Sequence, residues 1–487
     1  MNKPLVGISG FSVYAPPFRI DLEDWCKWNG ADRNKIRSIV GSGFRLPGVE
    51  HNTYTMASNT ILNLIQEFDI DPSEIHYLAL GTESSSDNSA GAIIAKGMVD
   101  KALKDQGKSP ISRNCEVPEF KHACLGGVYA LKGAIRFLNN DGANSKAIVV
   151  CSDFAIYKKG SSGEPTQGAG AIAILLERNP KIAAIDLEES GSASSYRGVD
   201  FRKPIQFLKN DSNSKKLDHA PVFNGRYSAA CYIDEMLYAL ENMYMRRKIQ
   251  DSEYFNNLAA VFMHRPFRRM AENALGVAYL FDLNSISSGN ENQLSLLCEN
   301  ASINLDDLLL EINNRPDLTA FGVREKIRKE AFPLLTQVLR LLREQNNYDQ
   351  IIGSKILLGQ KYMDELGNLY TGALFAWLAS GLEEAAENKY DLMGEILLIG
   401  YGSGDAAEAI PIHLVDGWQK AAARTKMNNV MKNPINLSED QYLALRNYEE
   451  GLDLNYEPNQ EFVIDRIGSE NQDDFEDNGI EYYRFIN

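Results

Sequence analysis

Apolar and polar residues alternate along the chain in two rhythms. Short apolar runs at residues 5–9, 77–81, 147–152 and 169–176 have the length of buried strands, and stretches at 53–68, 91–105 and 125–139 carry the wider apolar spacing of helices. The theme then returns, with strands predicted at 258–263, 395–400 and 407–415 and helices at 227–248, 266–278 and 369–387. Strands alternating with helices predict an α/β layered fold.

The two portions match in more than rhythm. Each has a strand ending in a polar residue, Leu78-Ala79-Leu80-Gly81-Thr82-Glu83 in the first and Ala260-Val261-Phe262-Met263-His264 in the second. Each has a helix opening after a reactive or amide residue, Cys124 or Asn368, and each closes with glycines leading into an apolar strand, at Gly168 and at Gly402-Ser403-Gly404. This predicts an internal duplication. The first half is residues 1–180, carrying Glu83 and Cys124, and the second is 181–425, carrying His264 and Asn368 with a helical insertion at about 278–350. Residues 426–487 form a C-terminal extension. In it Ser438 and Gln441 make a capping box for a helix over 438–455, and strands at 462–464 and 480–486 flank an acidic loop, 473–478, expected to be mobile.

At 487 residues the chain exceeds what one core usually serves, consistent with two halves. Its formal charge of −16 opposes nucleic-acid binding, which needs a cationic face. No apolar run is long enough for a membrane span, and the N-terminus reads as a first strand and not as an export signal. The six cysteines are scattered, with no Cys-x-x-Cys pair and no clustered histidines, so a disulfide scaffold and a metal site are not expected and a cytoplasmic setting is. Basic groups at Arg33, Lys35 and Arg37, at Arg202-Lys203, at Arg246-Arg247-Lys248 and at Arg265, Arg268 and Arg269 are solvated faces or contacts for a small polyanion.

The glycines at 168–170 and 402–404 lead into strands, whereas phosphate cradling needs glycines followed by a helix N-terminus, so a dinucleotide loop is excluded. The candidates for chemistry are the Cys124 thiol, the Glu83 carboxylate, the His264 imidazole and the Asn368 amide. A cysteine in the first turn of a helix meets the positive end of the helix dipole, which favours thiolate. Each residue also has a structural reading: a buried cysteine, a capping carboxylate, a loop histidine and an N-cap asparagine. The order Cys, His, Asn fits a papain-like enzyme, although the setting of Cys124, far from the N-terminus, does not.

Together the motifs resemble the 3-hydroxy-3-methylglutaryl-CoA synthase family of the thiolase-like superfamily. The resemblance is carried in order by Gly81-Thr82-Glu83-Ser84, Ala123-Cys124 with Gly126-Gly127, Pro165-Thr166-Gln167-Gly168-Ala169-Gly170-Ala171 and Asp200-Phe201-Arg202-Lys203-Pro204. It continues through Asn224-Gly225-Arg226-Tyr227-Ser228, His264 with Pro266-Phe267, Gly367-Asn368-Leu369-Tyr370-Thr371 and Tyr401-Gly402-Ser403-Gly404. It implies a five-layered αβαβα fold from two halves, a homodimer, and acetyl-CoA and acetoacetyl-CoA as substrates with no further cofactor. Cys124 is then the acetyl carrier, Glu83 the base, His264 the residue polarising the acceptor and Asn368 a positioning or oxyanion contact. Lys203, Arg269, Tyr401, Gly402 and Ser403 are the implied substrate contacts. The family's aromatic residue and threonine beside the cysteine are Leu125 and Val128 here, which bears on the acyl pocket, and its asparagine is His122. Two alternatives stand beside this: a relative acting on β-ketoacyl chains held by an acyl carrier protein in polyketide β-branching, and a catalytically silent homologue.

Overall fold

A computed structural model describes the chain apart from residues 1–3, 204–205, 210–214, 219–220, 250–253, 285–290, 319–329, 448 and 450–451. Pro204 of the predicted motif and parts of the predicted insertion lie outside the described residues.

The apolar runs form one ten-stranded sheet. Its strands are β1 (Val6–Tyr14), β2 (Ile75–Gly81), β3 (Glu119–Phe120), β4 (Lys146–Ala155), β5 (Gly168–Arg178), β6 (Ala183–Ala184), β7 (Gly191–Ser194), β8 (Leu258–Met263), β9 (Glu395–Gly402) and β10 (Ala406–Leu414). They lie in the order β8-β9-β10-β6-β1-β5-β4-β2-β3, with β7 also on β10. The helices around them include α1 (Thr53–Glu67), α2 (Gly126–Asn139), α3 (Gly225–Arg247), α4 (Arg268–Asn284) and α5 (Ala373–Glu387). The central strands are buried on both faces, as near-continuous Val, Ile, Leu and Ala runs require when helices lie on either side.

Strand pairing repeats between the halves. In the first, β1 is antiparallel to β5, β5 antiparallel to β4, and β4 parallel to β2. In the second, β7 is antiparallel to β10, β10 antiparallel to β9, and β9 parallel to β8. Helix α1 packs on the first set and α3 on the second, while α2 and α5 lie between, giving an α, β, α, β, α stack. The halves meet at β6, whose two residues pair with β1 on one side and β10 on the other. At the β1 contact, a Cβ on Gly7 would sit 2.0 Å from the Ala183 carbonyl oxygen, so only glycine fits.

The predicted helix over 369–387 starts later, at Ala373, after a 3₁₀ turn at Tyr370–Gly372. Within 278–350 the described residues outside connections are helical, at Glu291–Ala301, Leu305–Asn313 and Pro333–Glu344. In the extension, α6 (Glu439–Arg446) has the Ser438 and Gln441 capping box but ends well short of residue 455. The strand pair is present as Glu461–Ile467 against Glu481–Ile486. In the acidic loop between them, Asp477 accepts from the Glu470 N–H at 2.9 Å and the Tyr482 hydroxyl at 2.9 Å. Among the described residues no helix is long and apolar enough to cross a membrane.

Candidate active site

The end of β2, the turn before α2, the end of β8 and the turn before α5 bring the sequence candidates toward one place. Cys124 is not in the first turn of α2. It lies two residues before Gly126, in a turn made at Ala123, which adopts φ 41°. The matching turn of the second half is also left-handed, at Tyr370 with φ 45°. A side chain with a Cβ is disfavoured there by about 1–2 kcal/mol, which the surrounding packing must outweigh.

The glycines after Cys124 serve close packing. A Cβ on Gly127 would fall 2.4 Å from the Cys151 sulfur, and one on Gly81 would fall 2.6 Å from the Gly127 Cα, so β2 and α2 touch backbone to backbone. This places the Glu83 carboxylate beside the thiol. Glu83 Oε2 lies 3.6 Å from Cys124 Sγ, and Oε1 pairs with Lys203 Nζ at 2.7 Å. Lys203 also stands over the Tyr370 ring, 4.1 Å from its centroid. The family resemblance made Lys203 a substrate contact; its partner in this structure is Glu83.

The thiolate expectation is overturned. Burial pushes the Cys124 thiol well above its ordinary range, the Glu83 and Asp153 carboxylates push the same way, and only Lys203 opposes them. The resting group is a thiol whose neighbour, Glu83, is placed to accept its proton.

Sequence reasoning missed Asp153, which fixes the backbone of both halves. Its Oδ1 accepts from the Glu83 N–H at 2.9 Å and the Thr82 hydroxyl at 3.0 Å. Its Oδ2 accepts from the Thr371 N–H at 3.1 Å and from the Thr371 hydroxyl. Burial, then Glu83, raises its pKa to about 6. A carboxylate at the end of the apolar strand run Ile148-Val149-Val150-Cys151-Ser152 was the signal available.

His264 follows β8 and is 3% exposed. Its N–H donates to the Ile399 carbonyl at 2.8 Å, and its carbonyl accepts from the Tyr232 hydroxyl at 2.8 Å. The ring stacks near Tyr401, with centroids 6.3 Å apart at 29°, and Nδ1 is buried without a partner. Desolvation lowers its pKa to about 3, so the imidazole is neutral at physiological pH. A neutral ring with an unsatisfied buried nitrogen is a dipole awaiting a polar ligand atom.

Asn368 is 1% exposed. Its Oδ1 caps the 3₁₀ turn by accepting from the Tyr370 N–H at 2.9 Å, and its Nδ2 reaches the Tyr157 hydroxyl at 3.5 Å. Tyr157, also missed, joins Phe201, Phe223 and Tyr370 in an aromatic wall that includes Cys124. Tyr401 is buried and donates to Asp200 at 2.9 Å, and Gly402 ends β9 with Ser403 in the next turn. A Cβ on Gly402 would meet the His122 carbonyl at 2.6 Å, which ties this turn to the cysteine turn. Leu125 and Val128 fill the seam between α2 and β9: a Cβ on Gly400 would lie 2.7 and 2.8 Å from their methyl carbons. Arg269 lies on α4, pairing with Glu272 at 3.3 Å.

Among the described residues, the group with metal-ligand spacing is Glu189, Glu395 and His413. Arg247 already holds Glu395 through two bonds, at 2.8 and 2.7 Å, and the site described above has no part in it.

The chain matches the family models described as hydroxymethylglutaryl-coenzyme A synthase N terminal, over residues 3–181, and C terminal, over residues 344–474. It is 27% identical over 476 residues to hydroxymethylglutaryl-CoA synthase A of Dictyostelium discoideum, covering 95% of this chain and 87% of that protein. Among solved structures it is similar to MvaS in complex with 3-hydroxy-3-methylglutaryl coenzyme A, with a TM-score of 0.74, 22% identity and full coverage of both chains. It is also similar to the curacin pathway HMG synthase in complex with apo donor-ACP, with a TM-score of 0.68, 18% identity and coverage of 99% of this chain and 100% of that one. Both structural likenesses establish the thiolase-like fold.

Proposed function

This chain belongs to the hydroxymethylglutaryl-CoA synthase family, and we propose that it condenses acetyl-CoA with acetoacetyl-CoA through an acetyl-Cys124 intermediate, with hydrolysis releasing 3-hydroxy-3-methylglutaryl-CoA and free CoA. The observation that carries this is the Glu83 carboxylate set between the Cys124 thiol and Lys203.

Cys124 attacks the acetyl thioester as its proton passes to Glu83, and CoA leaves as the thiol. Once Glu83 is again a carboxylate it removes a proton from the acetyl methyl group, forming the enolate. A thioester α-proton is weakly acidic, so a positioned base in a water-poor site is required. The enolate carbon attacks the acceptor ketone, which the neutral His264 imidazole polarises by donating a hydrogen bond, and the proton held on Glu83 is available to the alkoxide. Water then cleaves the thioester to Cys124. Asn368 orients the acceptor beside Tyr157. Tyr401, Gly402, Ser403 and Arg269 complete the contacts to the CoA thioesters. The protein acts as a cytoplasmic homodimer, for which its six unpaired cysteines suit a reducing compartment.

Incubation with acetyl-CoA followed by intact-mass measurement tests the first step. The wild type gains one acetyl group and Cys124→Ala gains none; an undiminished adduct on the variant removes Cys124 from the mechanism. Offering the acceptor as free CoA thioester or on an acyl carrier protein then decides between this reaction and the polyketide alternative.

A further inference from the structure

The C-terminal extension reaches the wall of the site. Helix α6 presents two polar side chains, Tyr442 and Arg446, which occupy one face because they are four residues apart. Tyr442 is 2% exposed, with its ring between Trp28 and Phe44. Its hydroxyl donates to Glu164 Oε1 at 2.7 Å and accepts from Gln167 Nε2 at 2.9 Å. Arg446 donates from Nη1 to Gln167 Oε1 at 2.7 Å and from Nη2 to the Tyr157 carbonyl at 2.6 Å.

Gln167 and Tyr157 hold Asn368 from two sides. The Gln167 carbonyl accepts the Asn368 N–H at 3.3 Å, its side-chain oxygen accepts the Tyr157 N–H at 2.9 Å, and the Tyr157 hydroxyl lies beside Asn368 Nδ2. The approach is close at this point, since a Cβ on Gly168 would fall 2.4 Å from the Asn368 nitrogen. Glu164, Gln167 and Asn368 are each 1% exposed or less, so a lost donor leaves a buried acceptor short of a partner.

We propose that Arg446, through Gln167 and the Tyr157 backbone, is a positioning residue for the condensing site, so that the C-terminal extension is part of the catalytic apparatus. A cation is suited to this. It supplies two donors in a fixed fork, one for each of two acceptors on different segments, and charge-assisted bonds are the stronger kind. Without it, the Tyr157 segment and the turn before Asn368 lose their common anchor, and displacement by a fraction of an ångström disfavours the geometry of attack.

The inference rests on the proposed condensation, and the experiment separates the two. Acetyl-Cys124 is counted at end point by intact mass, and turnover with acetyl-CoA and acetoacetyl-CoA is measured per acetylated site for the wild type, Arg446→Met, Arg446→Lys and Tyr442→Phe. In Arg446→Met the expected acetyl stoichiometry is that of the wild type, while kcat per acetylated site falls on the order of 10- to 100-fold. Arg446→Lys recovers part of the loss, and Tyr442→Phe, which keeps the ring, shows a smaller loss in the same direction. Turnover per acetylated site equal to wild type in Arg446→Met overturns the positioning role. So does a loss fully accounted for by fewer acetylated sites, which marks a merely structural role. If the wild type forms no product, it is the proposed function that fails.

Discussion

The corner of the site that holds Glu83 and Cys124 and the corner that holds His264 handle buried polarity in opposite ways. In the first, each buried carboxylate has partners: Glu83 pairs with Lys203, and Asp153 accepts four hydrogen bonds from Thr82, Glu83 and Thr371. In the second, the imidazole is kept neutral among Tyr232 and Tyr401, with one ring nitrogen unpaired. The difference follows the proposed chemistry. A base that must ionise and reprotonate needs compensating charge nearby, whereas a group that polarises a ketone needs a fixed dipole and gains from a low-dielectric surround.

Removing the base gives the largest expected effect. Glu83→Gln should lower product formation by roughly 10³- to 10⁴-fold while end-point acetylation of Cys124 persists, measured by turnover and intact mass. Normal turnover would end the distinction between the corners. His264→Phe should lower turnover by about 10²- to 10³-fold, because the ring shape is kept and the dipole is lost. Its melting temperature should stay the same or rise, since an unpaired buried nitrogen is removed.

The same kind of deletion in the first corner should behave differently. Thr371→Val removes a donor from Asp153 and should destabilise the protein by about 1–3 kcal/mol in a denaturant titration. Equal stability losses for Thr371→Val and His264→Phe would break the comparison.

The smallest effect is a pair of opposed pH slopes. Asp153 rises from 3.8 to about 6 on folding, so the folded state binds more protons and stability falls as pH rises through that window. His264 drops from 6.5 to about 3, so the unfolded state binds more protons and stability rises with pH between those values. The two offset between 3.8 and about 6. Relative to wild type, His264→Phe should lose stability with rising pH across that range, and Asp153→Asn should gain it, each by about 1 kcal/mol per pH unit. Parallel slopes for the two variants would refute the assignment.

The fold was legible because most strands are apolar on both faces and the core helices carry continuous apolar stripes. Strand β8 and helix α1 fall almost where periodicity put them. Ordered motifs singled out Glu83, Cys124, His264 and Asn368, and the structure sets Glu83 beside Cys124 and buries His264 and Asn368. The thiol's protonation was not legible, because it is set by burial and then by the Glu83 and Asp153 carboxylates, all of which depend on the tertiary fold. Asp153 gave a weak signal, a carboxylate closing an apolar strand. Arg446 gave none: it looks like an ordinary helix-terminal cation, and its partners Gln167 and Tyr157 are reached only through the tertiary fold.

Strand β6 is two residues long, yet both of its edges are occupied, by β1 and by β10. Neither half can open at that seam without exposing backbone groups of the other, so unfolding should be a single cooperative event that couples residues 6–14 to 406–414. Hydrogen exchange in those two strands should therefore report one common opening free energy, and halves expressed apart should leave raw sheet edges that invite association.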